Sequence, residues 1–171
     1  MSKRGKKVGA SKLAEKRLNI RDSLWEDEIE SLKIWSRTTH DGFTTVPRTL
    51  PYVFKVMDHL AGKGKPVSST YFTLWCNVFD EGYLDIKDKE RFAYESGFSG
   101  ERAVTTWSGR MKLLVENGFI KAKEGTSGDF NHVLILNPLE VIKEIYKEKP
   151  KDKSYNALIS RMNEVGATFE E

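Results

Sequence analysis

Between Phe98 and Ile120 the chain reads FSGERAVTTWSGRMKLLVENGFI, and five residues in it carry contact chemistry that no apolar core requires: Arg102, Thr105, Thr106, Gly109 and Lys112. The first four share one side of a helix by their spacing, with Lys112 just beyond. Arginine offers a planar fork of donors and threonine a hydroxyl with a methyl, while glycine lets a partner approach closely. These are the groups that read base edges in a DNA major groove, with arginine on guanine and threonine on a base, a phosphate or the thymine methyl. Two β-branched threonines are mediocre helix formers, so propensity does not account for them. A face kept only for solvation is usually rich in Glu and Lys. Gly109 also fits a tight helix crossing. Glu101 opposes an anionic partner, although it suits the positive end of a helix dipole.

Other reactive side chains do not assemble into a catalytic pattern. His40, His59 and His132 lie in separate segments without metal-ligand spacing, and His40 beside Asp41 reads as a loop pair. The run AGKGKP lacks the spacing and the Ser/Thr of a phosphate-cradling loop, and reads as a turn between helices. Cys76, the single cysteine, follows Trp75 in an apolar segment and is expected in the core. Neither a catalytic centre nor a cofactor is implied, and the expectation is a protein that is not an enzyme.

The elements that must hold Arg102 to Lys112 follow from periodicity and breakers. Ser23 and Glu26 form a capping-box pattern ahead of Trp25, Ile29, Leu32 and Trp35, which predicts a helix from Ser23. Pro51 suits the first turn of a helix carrying Val53, Phe54, Met57 and Leu60. A further helix is predicted over about Ser69 to Asp80, a short strand over Tyr83 to Ile86, and a short helix ending at Gly97. Ser99 is placed to cap the next helix. On that helix Val104, Trp107, Met111 and Leu114 recur at three- and four-residue steps and form the core-facing stripe. Phe119 to Lys123 and Phe130 to Leu136 read as a hairpin with EGTSGD as its turn. Lys121 and Lys123 alternate with apolar residues and point outward, and Thr126 and Ser127 sit at the tip.

The order helix, short strand, short helix, tight turn, long helix, hairpin resembles the winged helix-turn-helix superfamily of DNA-binding domains over about Val67 to Asn137. The resemblance rests on YESGFSG, the long helix and the NGFI junction entering a glycine-containing wing. It implies a recognition helix from Ser99 to Glu116 and a wing from Lys123 to Asp129. The expected fold is α+β and mostly helical, with N- and C-terminal helical extensions at 22–66 and 138–171 around a winged-helix domain at 67–137.

The net charge of +3 conceals an asymmetry. Residues 1–21 hold eight basic side chains, Lys3, Arg4, Lys6 and Lys7 among them, against Glu15, which leaves 20 basic and 24 acidic groups in the rest. Few apolar residues there predict a flexible arm that grips phosphates or serves as a solubilising tail. Over 97–137 five basic groups face four acidic ones, a thin surplus for nucleic acid. Tyr155, Leu158, Ile159, Met162 and Val165 predict an amphipathic tail helix that folds back, pairs with a second copy in a homodimer, or docks on another protein. No apolar run reaches the roughly 20 residues of a membrane span, and no secretory signal is present, so the expected compartment is cytoplasmic. Double-stranded DNA is the expected partner and transcription regulation the leading role. A plasmid or phage replication or partition factor is the alternative, and a protein-assembly module whose basic arm alone touches nucleic acid is a third.

Overall fold

Seven α-helices and one three-stranded antiparallel sheet make an α+β chain among the described residues. The computed structural model describes residues 3–170, with the backbone alone described for residues 3–11 and Asp80. Two compact units result, residues 1–43 and 44–171. No described helix is long and apolar enough to cross a membrane.

In the first unit the basic segment is a helix, α1 (Lys3–Leu24), rather than a flexible arm. It lacks proline, and Lys12 to Leu18 are mostly strong helix formers, so a solvated helix needs no apolar face. Lys3, Arg4, Lys6 and Lys7 lie on it, but their side chains fall outside the described residues. The predicted helix from Ser23 does not form. Because α1 runs through Ser23, that residue is interior to a helix and cannot cap one. Trp25 to Leu32 instead form successive turns, with Ile29 N–H donating to Trp25 O at 2.8 Å. Trp35 then stacks on His40 and meets the Phe43 ring edge-on.

The second unit begins its regular structure at α2 (Leu50–Ala61), which carries Pro51 in its first turn and buries Val53, Val56 and Met57. Asp58 on α2 accepts from the N–H groups of Val67 and Ser68 and from the Ser68 hydroxyl at 2.7–2.9 Å. That carboxylate closes the start of α3 (Ser68–Asn77). Tyr71 and Leu74 of α3 are fully buried and Trp75 donates its indole N–H to Thr45 O. Cys76 is exposed, contrary to the core position expected for it, because it falls on the opposite side of α3 from Tyr71 and Leu74. The helix also stops before Asp80, since Val78 is already extended.

A short 3₁₀ turn at Asp80–Gly82 leads into β1 (Tyr83–Asp85). Gly82 has φ +70°, and a Cβ there would lie 2.9 Å from Ile135 O, so the turn into the sheet requires glycine. After β1 come α4 (Lys89–Glu95), capped by Asp88 accepting from Arg91 N–H, and α5 (Ala103–Glu116). The hairpin of β2 (Ile120–Gly125) and β3 (Gly128–Ile135) completes a sheet of order β1-β3-β2. Leu84, Val133 and Ala122 line one row toward the core. The next rows, Tyr83–Leu134–Lys121 and Asp85–His132–Lys123, face away from it.

The remaining helices, α6 (Pro138–Glu148) and α7 (Lys153–Val165), both pack on α2. Tyr155, Leu158 and Met162 are buried. Of the three fates read for the tail helix, folding back is the one observed, and the face proposed for pairing with a second copy is used within the chain.

Candidate nucleic-acid interface

Helix α5 is oriented by its inner stripe. Trp107, Met111 and Leu114 have no exposed surface, and Val104 is packed against the same core at its margin. Trp107 lies against the Phe92 ring of α4 and meets Phe130 of β3 edge-on at 5.9 Å, which locks α5 between its neighbouring helix and the sheet. The opposite side is then turned to solvent by helical geometry alone.

Arg102, Thr105 and Lys112 are exposed on that side, and Thr106 is partly covered at its edge. Arg102 is the N-cap residue, and its side chain makes no capping bond. Ser99 does not cap the helix either. It is exposed in the preceding turn, and α5 starts four residues after it, where Ala103 N–H donates to Gly100 O at 3.0 Å. Gly109 is central on the outward side. A Cβ built there meets nothing within 4 Å, so the tight helix crossing offered as an alternative is absent. A mid-helix glycine is about 0.5–1 kcal/mol worse than alanine, and no packing inside the chain offsets that here.

The hairpin beside α5 is longer and tighter than the sequence implied. Its strands reach Gly125 and Gly128, leaving Thr126 and Ser127 as a two-residue turn where a six-residue turn was expected. The extra residues are absorbed by a bulge in β3, where Phe130 takes φ +64°. That left-handed backbone is unfavourable for an aromatic residue. It is held because it directs the Phe130 ring onto Trp107. Asn131 is buried and anchors the turn. It accepts from Ser127 N–H at 3.2 Å and donates to Asp85 at 2.6 Å and to Ile86 O at 3.2 Å. A side chain at Gly125 would overlap the Asn131 carboxamide and stand 2.7 Å from His132 Nε2. Lys87 donates to Asp85 at 3.1 Å and, with Asn131, holds that carboxyl below the usual carboxylate range.

Lys112 and Lys123 come together in a shallow cleft of about 260 Å³ between α5 and the hairpin. Glu116, Glu124 and Asp129 line it too, so the cleft itself carries no positive surplus. Lys121 is exposed two register pairs further along, beside Leu134, and does not line it. Thr126 is exposed at the tip. Lys89 of α4 also reaches this tip, since a Cβ on Gly128 would lie 3.2 Å from its Nζ. Spacing along the chain could not have signalled that approach. Arg110 was likewise missed; it sits at the flank of α5 away from the cleft, between the inner and outward sides.

Arg91–Glu95, Lys143–Glu140, Lys147–Glu144 and Arg161–Glu164 pair along α4, α6 and α7. Among the described residues no carboxylate lies within 4 Å of the charged ends of Arg102, Arg110, Lys112, Lys121 or Lys123. Comparison of the chain with protein-family models, with curated proteins and with solved structures found no match.

Proposed function

We propose that residues 67–137 are a winged helix-turn-helix domain that binds duplex DNA, with α5 in the major groove and the β2–β3 hairpin as the wing, and that the chain regulates transcription. The outward side of α5 is the observation that supports this. It joins unpaired Arg102 and Lys112, exposed Thr105 and the open, centrally placed Gly109, while the inner side of the same helix is fully consumed by the core. The succession α3, β1, α4, α5, β2, β3 and the sheet order β1-β3-β2 agree with such a domain. Arg102 serves base edges, and Lys112, Lys121, Lys123 and Thr126 hold the strand backbone.

Gly109 offers a test in which stability and binding move in opposite directions. Gly109→Ala should raise stability by about 0.5–1 kcal/mol, because helix propensity improves and the methyl meets no neighbour. The same methyl fills the space into which a sugar-phosphate or base edge would enter, so duplex affinity should fall. Denaturant melts and duplex titrations on one preparation check both. A stabilised variant with undiminished duplex affinity would mean that α5 does not approach DNA at this point.

A further inference from the structure

The turn between α2 and α3, Gly62–Pro66, is the larger part of the run AGKGKP, Ala61–Pro66. It is positioned by α5. Arg110 Nη2 donates to Gly64 O at 3.4 Å, and the Arg110 guanidinium lies 6.0 Å from the centre of the Phe98 ring. Lys112 and Arg110 are two residues apart on a helix, so they emerge on opposite flanks of α5. The hairpin therefore borders one flank and the Gly62–Pro66 turn the other.

The turn has a defined shape. Gly62 and Gly64 take φ +89° and +76° with open space around both, so conformation and not crowding calls for glycine. Lys65 N–H donates to Gly62 O at 3.2 Å and closes it. Lys63 and Lys65 are exposed, and among the described residues neither has a carboxylate within 4 Å. Asp58 is the nearby acid, and its carboxylate is occupied by the three hydrogen bonds that close α3. His59, also beside the turn, faces Asp152 at 3.3 Å.

A helix seated in a major groove about 12 Å wide has a phosphate strand on each side. The hairpin serves only one of them. We propose that Lys63 and Lys65 grip the phosphates of the other strand, so that α5 is held from both flanks. This rests on the duplex-binding function proposed above, and it adds cations from outside 97–137, where the charge surplus is thin.

The test is a double variant, Lys63→Ala with Lys65→Ala, in the full chain, titrated with a random-sequence duplex over a range of salt concentrations. Each lost phosphate contact lowers the slope of log affinity against log salt by about 0.9. The slope should therefore fall by about 1 to 2, with similar proportional losses on random and preferred duplexes and an unchanged melting temperature. Lys63→Arg with Lys65→Arg should restore the slope. If the intact chain binds duplex and the alanine variant keeps the same slope, the turn does not hold phosphate, and the role of α5 stands. An intact chain that binds no duplex overturns both.

Discussion

Trp107→Ala should destabilise residues 44–171 by about 3–5 kcal/mol, the range for emptying a large aromatic site in a core. Its ring has no exposed surface and stands between Phe92 and Phe130. The loss reaches the hairpin as well, because the left-handed backbone at Phe130 is maintained by the packing of its ring on Trp107. A domain of ordinary stability has only about 5–15 kcal/mol to lose, and the variant should melt many degrees lower or fail to fold. Thr105→Ala, two residues earlier on the exposed side, is the matched control. Its stability should stay within about 0.5 kcal/mol of the parent or rise through better helix propensity. Thermal and urea melts of both variants check this. Equal destabilisation would mean that the faces of α5 are rotated from their assignment.

Arg102→Ala should cost about 1–3 kcal/mol of binding on a preferred duplex, the value of a bidentate arginine contact to a base. Stability should not change, since the side chain is exposed, unpaired and makes no capping bond. Random-sequence duplex should lose much less, because only the discriminating contact is gone. Titrations on both duplexes separate the cases. Equal losses would make Arg102 a phosphate contact, and no loss on either would remove the start of α5 from the interface.

The parts of this surface that could be read from the sequence are those set by local periodicity. Trp107, Met111 and Leu114 announce the buried side of α5 through their three- and four-residue spacing, and the opposite side follows from geometry. Lys121 and Lys123 announce an outward strand face by alternation. What escaped was set by contacts between distant segments. The buried Asn131 tying the hairpin turn to β1 looks like an ordinary polar residue starting a strand. The β3 bulge depends on Trp107 offering a seat to Phe130, 23 positions along the chain. Arg110 reaching Gly64 and Lys89 reaching Gly128 join residues whose spacing carries no signal. Composition misled at the N-terminus, because few apolar residues exclude a core and not a solvated helix. It misled again at Cys76, where an apolar neighbour suggests a buried environment although one helical step separates the two sides of α3.

Selection of bound fragments from a random duplex pool by the intact chain, followed by sequencing, tests most directly whether α5 reads DNA. A short shared motif should be enriched, with a guanine at a position whose preference relaxes when the selection is repeated with Arg102→Ala. A pool that binds without any enrichment, or a motif that the Arg102→Ala chain selects unchanged, would contradict base reading by this face of the helix.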